Sequence, residues 1–348
     1  MNRVKLAVIG VGALGQHHAR ILSTMPEVEL VGVVDSREQQ GRDIAARHST
    51  TWFSAPDEIM GLVQGVVIAV PTVHHHQVGL PFVDAGIAVL MEKPLANSLE
   101  AVLSLHRLAS FRHTVVQVGH VERFNPAFEL LQKKIDRPLY IRAQRVSPYT
   151  FRSTDIGVVH DLMIHDIDLV LALTGEAVVS VDSFGAVTFG PHEDMAVARL
   201  KTTSGIIADI TASRMSPVAE RTLQVFSTNG YATADLNNRT VSSWHPAAPL
   251  ATNPRRIQDI IAATPDPLTL KNEVFTKWIT NETLQASNAD ALTAELNDFV
   301  RCIQTNGRPR VSSKDAVKAL EVADRVLGGM AKWSWQDKVD VVPAAKAA

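Results

Sequence analysis

A complete G-x-G-x-x-G motif constrains the fold of this chain more than any other feature. The apolar run Val4–Ile9 leads directly into Gly10, and Gly12, Ala13, Leu14 and Gly15 complete the motif before a helical pattern begins. In this context the glycines permit a tight turn, the approach of a pyrophosphate and close packing of helix on strand. The helix N-terminus then offers free N–H groups to phosphate. The pattern predicts a dinucleotide-binding strand–turn–helix unit.

An acidic residue at the end of the next strand pattern indicates which dinucleotide is bound. The apolar run Val28–Val34 ends in Asp35, about 20 residues after the motif, where an acid can accept hydrogen bonds from the adenosine ribose. This favours NAD over NADP, although Arg37 lies close enough to weaken the preference. The alternative is a glycine-rich turn followed by a solvated aspartate.

Alternating strand and helix patterns continue to about residue 118. They comprise a helix at 37–47, a strand at 66–70, a helix at 73–85, a strand at 88–91, a helix at 98–110 and a strand at 114–118. This order predicts a doubly wound parallel sheet. Pro71 and Thr72 follow a strand at its carboxyl end, where such sheets bind ligands. A chain of 348 residues exceeds one core, so a second domain is expected.

Composition excludes several classes of protein. The formal net charge of −2 gives no basic footprint for nucleic acid or an anionic membrane. The only cysteine, Cys302, lies in an amphipathic helical pattern, which indicates packing and suits a reducing compartment. The longest apolar stretch, 62–70, is too short to span a bilayer. We therefore predict a cytoplasmic protein.

The tripeptide at 74–76 is His-His-His, which invites a metal-binding interpretation. Three successive helical residues point in three directions, so they are poorly placed to chelate one ion. We predict no metal site here. One of these histidines is instead expected to face the nicotinamide end of the cofactor cleft.

Glu92, Lys93 and Pro94 come directly after a predicted strand. A lysine at the carboxyl end of such a strand can donate a hydrogen bond to a substrate oxygen near the cofactor. A solvated lysine in a turn is the alternative. Because proline follows it, a cis peptide bond is possible at this position.

An unusual polar stripe occurs in the apolar stretch at 157–170. Asp161, His165 and Asp168 are spaced i, i+4 and i+7, which places them on one side of a helix. A surface helix would turn such a stripe to water. The flanking residues are apolar, however, and half-buried acids beside an imidazole are typical of a catalytic site. We interpret the stripe as catalytic.

The second half reads as a large sheet followed by helices. Strand patterns occur at 138–147, 178–189, 195–202, 205–212, 222–227 and 231–235, and Asn229-Gly230 is a hairpin signal. Such a sheet needs a cover on both faces, so we expect a second subunit, giving a homodimer or homotetramer. Residues 246–273 are rich in proline and predict a long loop.

Five ordered motifs make the chain resemble a known family. GVGALG, AVPTVHH, MEKPLA, VGHVERFNPA and DLMIHDID are similar to the glucose–fructose oxidoreductase/inositol dehydrogenase (Gfo/Idh/MocA) family. The resemblance implies a Rossmann domain at 1–122, an α/β domain with a large, open, mostly antiparallel sheet at 123–330, and a tail at 331–348. It also implies that Lys93, Asp161 and His165 are catalytic and that His75 and Glu92 belong to the cofactor region.

The implied reaction is the reversible oxidation of a secondary alcohol on a sugar ring, with hydride transfer to nicotinamide. His165 is the expected general base, with Lys93 as the alternative base. Arg123, Asn125 and Arg152 are candidate substrate contacts, or else structural residues. VGHVERFNPA and VVHDLMIHDIDLVL resemble the subgroup that oxidises UDP-N-acetylglucosamine at C3 in lipid A synthesis. An inositol or simple-sugar dehydrogenase and a non-enzymatic dinucleotide- or sugar-binding regulator are the alternatives.

Overall fold

The protein is described here by a computed structural model, which places residues 3–151, 156–189, 191–253, 256–264 and 266–330. These residues pack into two compact units. The first takes the chain up to Lys134, together with Asn238–Ser242 and Glu282–Glu321. The second takes Ile135–Asn237, Ser243–Asn281 and the chain from Val322 onward.

The first unit contains a six-stranded parallel sheet with the order β3-β2-β1-β4-β5-β6. Its strands are Val4–Ile9 (β1), Val28–Val34 (β2), Thr51–Phe53 (β3), Gly65–Ile68 (β4), Ala88–Glu92 (β5) and Val116–Gly119 (β6). The helices are Gly15–Leu22 (α1), Glu38–Arg47 (α2), His75–Asp84 (α3), Leu99–Arg112 (α4) and Pro126–Lys134 (α5). The predicted doubly wound parallel sheet is confirmed. The short strand β3 was not predicted, because three residues give no readable alternation.

The later part of the chain builds an eight-stranded sheet with the order β14-β13-β12-β11-β7-β10-β9-β8. Its strands are Pro138–Val146 (β7), Val178–Ala186 (β8), Met195–Thr202 (β9), Ile207–Ser213 (β10), Glu220–Ser227 (β11), Gly230–Asp235 (β12), Thr240–Pro246 (β13) and Ile279–Gln285 (β14). The pairing of β7 with β10 is parallel, whereas β7–β11, β9–β10, β8–β9 and β11–β12 are antiparallel. The predicted large, mostly antiparallel sheet is confirmed.

The helices of the later part are Ile164–Thr174 (α6), Ala248–Thr252 (α7), Arg256–Ala263 (α8), Pro267–Glu273 (α9), Ala291–Thr305 (α10) and Ser313–Met330 (α11). The prediction of a long loop at 246–273 was wrong, since α7, α8 and α9 lie there. Pro267 occupies the first turn of α9, and Asp266 caps that helix by accepting from the Leu268 and Thr269 N–H groups. Proline is favoured in the first turn of a helix, so it begins α9 rather than preventing it.

Helix α10 returns to the core of the first unit. Leu296 and Phe299 are fully buried and pack with Val4, Leu6 and other residues of β1 and α1. Cys302 on the same helix is also buried, and burial raises the pKa of its thiol to about 11. The thiol therefore stays protonated near neutral pH, as expected of a packing residue.

No helix within the described ranges is long and apolar enough to cross a membrane. Among the residues that the structure places, no group of three or more histidine, cysteine or acidic side chains is arranged to hold a metal ion. The predicted tail at 331–348 lies outside the described residues.

Candidate active site

The glycine motif forms a tight turn between β1 and α1. Gly10 has a φ of +83°, and a Cβ there would lie within 2.9 Å of Val70 and Ala69 atoms. A Cβ on Gly15 would lie 1.8 Å from the carbonyl oxygen of Gly10. Larger residues would therefore push α1 off the sheet. The glycines hold the helix N-terminus against the carboxyl end of β1, the arrangement that binds a pyrophosphate.

A cavity of about 600 Å³ opens beside this turn. Seven of the predicted cofactor-binding residues line it, namely Gly10, Gly12, Ala13, Leu14, Asp35, Arg37 and Pro71. The sequence did not point to several other lining residues, including Ser36, Ser54 and Val78. His74 also lines the cavity and belongs to the tripeptide of which one histidine was expected to face the cofactor cleft. Ser54 follows the unpredicted strand β3, so the rule that ligands bind at strand carboxyl ends would have found it. Gly15, Thr72, His75 and Glu92 do not line this cavity.

Asp35 is held rigidly at the cavity wall. Its Oδ2 accepts from the Val11 N–H at 3.0 Å and its Oδ1 accepts from the Arg37 N–H at 2.9 Å. The residue is 7 % exposed, whereas the Arg37 side chain is mostly exposed and its Nε lies 3.4 Å from Oδ1. Oδ1 accepts from both the Arg37 N–H and the Arg37 Nε–H, whereas Oδ2 accepts from Val11 and keeps a lone pair for a ribose hydroxyl. The glycine turn and this fixed carboxylate fit NAD.

We expect Asp35→Asn to weaken NADH binding and to improve NADPH binding. The amide removes one acceptor for the ribose and the negative charge that repels a 2′-phosphate, while Arg37 remains to attract one. NADH affinity should fall about 10-fold, equivalent to about 1.4 kcal/mol. Fluorescence titration with both reduced cofactors measures the change. Asp43→Asn, on the exposed face of α2, is the matched control. An unchanged preference between NADH and NADPH in Asp35→Asn would contradict the assignment of Asp35 as a ribose contact.

Lys93 lies in the first unit, at the carboxyl end of β5, and the peptide bond to Pro94 is cis. Its N–H donates to Glu92 Oε2 at 3.3 Å. His75 is buried, with Nδ1 2.9 Å from the Pro94 carbonyl oxygen and Nε2 2.9 Å from that of Val70. Burial lowers the pKa of His75 despite these contacts. A neutral ring can donate to only one of these two carbonyl oxygens, that of Pro94 or that of Val70.

Asp161 and His165 lie in the second unit, where a π-helical turn at Val159–Met163 precedes α6. The prediction of one regular α-helical stripe was wrong in this respect, because the wider turn changes the phase of the helix. Asp161 and His165 are half-buried, whereas Asp168 is only 1 % exposed. Asp168 therefore belongs to the core side. Single π-turns of this kind occur frequently at functional sites.

Buried polar contacts hold this turn in place. The Val158 N–H donates to the Glu193 carbonyl oxygen, and the Val159 N–H donates to Glu193 Oε1, both at 3.0 Å. Arg145 on β7 makes a bidentate pair with Asp166 on α6, at 3.0 and 2.8 Å. Because both charged groups of that pair are buried, the removal of either one would strongly destabilise the helix. The sheet thus fixes the position of His165.

The three candidate substrate contacts have different surroundings. Asn125 caps α5, since its Oδ1 accepts from the Ala127 N–H at 3.0 Å, and its Nδ2 donates to Glu122 Oε2 at 2.9 Å. Arg123 Nη2 lies 3.9 Å from Asp315 Oδ1. Arg152 lies outside the described residues. A role in substrate binding stays a prediction for all three.

Two family profiles match this chain. The profile described as an oxidoreductase family with an NAD-binding Rossmann fold matches residues 4–120, and the GFO/IDH/MocA C-terminal domain profile matches residues 132–233. The first profile covers the glycine turn, Asp35 and Lys93, and the second covers Asp161 and His165. The resemblance found in the five motifs is confirmed.

Individual relatives extend this similarity over most of the chain. UDP-N-acetylglucosamine 3-dehydrogenase from Acidithiobacillus ferrooxidans is 32% identical over 304 residues, which is 87% of this chain and 90% of the relative. A solved structure of that enzyme has a TM-score of 0.84 at 30% identity and covers 96% of this chain and 99% of its own. The NAD(+)-type scyllo-inositol 2-dehydrogenase of Bacillus subtilis is 29% identical over 62% of this chain and 69% of its own length.

Proposed function

The chain belongs to the Gfo/Idh/MocA oxidoreductase family, and we propose that it oxidises UDP-N-acetylglucosamine at C3 of the sugar ring with NAD as hydride acceptor. The observation that carries this proposal is the similarity to UDP-N-acetylglucosamine 3-dehydrogenase over nine-tenths of that enzyme's length. The 3-oxo product is a substrate for an aminotransferase, which would place the reaction in a lipid A-type nucleotide-sugar pathway.

The proposed mechanism assigns one role to each of three side chains. The chemistry that bound NAD supplies is acceptance of the hydride from the carbinol carbon. His165 takes the hydroxyl proton, because an imidazole suits proton transfer near neutral pH. Lys93 donates a hydrogen bond to the same oxygen and stabilises its developing negative charge. Asp161 orients His165. Lys93 as the base is the alternative within this proposal.

A free polyol is the second candidate substrate. The similarity to scyllo-inositol 2-dehydrogenase favours it, although that match covers less of both chains. The two substrates differ in the diphosphate and uridine, which binding residues would have to recognise. An inositol dehydrogenase would turn over free polyols and gain nothing from a UDP group.

The test is NADH formation from NAD and UDP-N-acetylglucosamine, with an aminotransferase and glutamate removing the 3-oxo product. We expect turnover with the nucleotide sugar and little with free N-acetylglucosamine or inositol. Turnover of inositol alone would show that the substrate is a free polyol and would leave the proposed reaction class unchanged. Binding of NADH without turnover of any sugar would instead support a regulator.

His165→Ala should lower kcat about 10²- to 10⁴-fold, the usual contribution of a general base. NADH binding, followed by fluorescence, should not change, because His165 does not line the cavity beside the glycine turn. His160→Ala is the matched control. His160 is also half-buried, lies in the π-helical turn that precedes the helix carrying His165, and its Nε2 is 3.4 Å from Asp324 Oδ1. Equal losses in the two variants would contradict a catalytic role for His165.

We also propose that the chain forms a homodimer or a homotetramer. Phe226, Tyr231 and Trp244 form an aromatic row on the sheet of the second unit, with ring centroids 4.5 and 5.2 Å apart. They line a cavity of about 690 Å³ together with apolar residues of α8. Phe226 and Ile261 are each about half exposed or more. Exposed apolar surface of this kind favours an interface between copies, in a homodimer or homotetramer.

We expect Ile261→Glu to reduce the molar mass measured by light scattering after gel filtration. A carboxylate placed in an apolar interface loses its hydration without gaining a partner. Gln258→Glu adds the same charge to an exposed position of α8 and serves as the control. An unchanged molar mass in Ile261→Glu would exclude this surface as the interface.

A further inference from the structure

A buried hydrogen bond joins the phosphate-binding helix to the residue before Lys93. His18 lies three residues after Gly15 on α1 and is completely buried. Its Nε2 is 2.7 Å from Glu92 Oε1. In the part of the chain that the structure describes, His18 Nδ1 has no hydrogen-bond partner. A carboxylate can only accept, so the His18 Nε2–H donates this hydrogen bond.

The other oxygen of Glu92 faces the backbone of Lys93. Glu92 Oε2 accepts from the Lys93 N–H, so the carboxylate contacts His18 on one side and the lysine on the other. Gly119, the partner of Glu92 in the β5–β6 register, leaves room for this group, because a Cβ there would lie 2.8 Å from Oε2. Burial opposes the charge of Glu92. The hydrogen bond and electrostatic attraction of His18, followed by the charge of Lys93, outweigh burial and lower the pKa of Glu92.

A second acid interacts with Glu92 but stays neutral, so Glu92 carries the single negative charge of this pair. Glu295 on α10 is fully buried, and neither of its carboxylate oxygens has a partner among the described residues. Burial and the negative charges of Glu92 and Asp298 raise the pKa of Glu295 well above its usual value. Glu295 is therefore neutral where Glu92 is ionised. The charge of Glu92 also acts on His75.

We propose that His18 is a positioning residue for Lys93, acting through its hydrogen bond to Glu92. This inference depends on the proposed role of Lys93 in alcohol oxidation. His18 on α1 and Glu92 at the end of β5 couple the turn that binds the cofactor phosphates to the backbone that carries the lysine. His18 therefore acts on the Lys93 ammonium group, which contacts the substrate oxygen in the proposed mechanism. His18 itself contacts neither substrate nor cofactor.

Steady-state kinetics of His18→Leu and His18→Gln test the proposal. Leucine removes the donor, and the glutamine Nε2–H can replace it. We expect kcat to fall at least 10-fold in His18→Leu, with KM for NAD changed less than threefold, and to recover to within threefold in His18→Gln. If His18 had only a structural role, its replacement would change both kcat and the KM for NAD, or neither of them. Failure of glutamine to restore kcat in a protein that binds NADH normally would overturn the hydrogen bond as the cause.

A second readout does not depend on the substrate. The rate at which an acylating reagent modifies Lys93, measured by peptide mass spectrometry, should rise at least threefold in His18→Leu and in Glu92→Gln, because each variant removes a hydrogen bond from the chain that holds the Lys93 backbone. The exposed Lys133 is the internal control. An unchanged Lys93 rate in both variants overturns the inference. If the wild-type protein oxidises no sugar, the proposed function fails while this measurement still decides the role of His18. If His18→Leu does not fold, Glu92→Gln decides it.

Discussion

Replacement of Lys93 by methionine is expected to lower kcat for sugar oxidation about 10³-fold, the loss typical of removing a donor to a developing oxyanion. The methionine side chain is similar in length and apolar, so it removes the ammonium group with little change in packing. Lys93 does not line the cavity that Asp35 lines, and NADH affinity should therefore change less than threefold. Steady-state kinetics and NADH fluorescence together measure the two effects.

Two further variants make this prediction specific. Lys133→Met removes an exposed lysine from α5 of the same unit and should leave kcat unchanged. Lys93→Arg keeps the positive charge but not the compact ammonium, and its kcat should stay at least 10-fold below that of the wild type. Wild-type kcat in Lys93→Met would remove the lysine from the mechanism.

The sequence predicted the first unit well because its signals are local. A strand, a glycine turn and a helix follow one another within residues 4–22, and strands continue to alternate with helical segments up to β6. The second sheet was also readable from period-two patterns such as Met195–Thr202, which alternates between buried and partly buried or exposed residues along its length. The period-two pattern did not reveal β13 and β14, which lie on either side of the proline-rich segment. No sequence pattern predicted the three helices within that segment.

Predictions of the site were good for motifs and poor for long-range packing. Asp35, Gly10 and Gly12 line the cavity as their spacing predicted, whereas Gly15 does not. No pattern predicted the contact between His18 and Glu92, which are 74 residues apart, or the burial of Glu295 beside them. Glu295 reads as an ordinary polar residue in an amphipathic helix, and only the return of α10 to the first unit makes it a buried acid. The phase of the π-helical turn at Asp161 likewise depends on the contacts of Glu193 rather than on local propensity.

Glu295→Gln is expected to stabilise the protein more strongly as pH rises. In the folded protein, burial and the charges of Glu92 and Asp298 raise the pKa of Glu295, whereas the unfolded carboxyl ionises near its usual value. Above that value the unfolded state binds fewer protons than the folded state. The contribution of Glu295 to the free energy of unfolding is therefore fully present only below the unfolded pKa. It is lost progressively as the pH rises to the folded pKa. Each pH unit within this window costs about 1.4 kcal/mol of the free energy of unfolding.

Glutamine has nearly the same shape and does not titrate, so its variant should lack this loss. The difference in free energy of unfolding between Glu295→Gln and the wild type should grow in favour of the variant by about 1.4 kcal/mol per unit above pH 5, until the folded carboxyl ionises. Urea unfolding at several pH values measures it. Glu100→Gln, at an exposed position of α4, should give a constant difference. A constant difference for Glu295→Gln would mean that Glu295 is ionised in the folded protein. Glu92 would then share its surroundings with a second charge, and the single negative charge inferred beside Lys93 would be wrong.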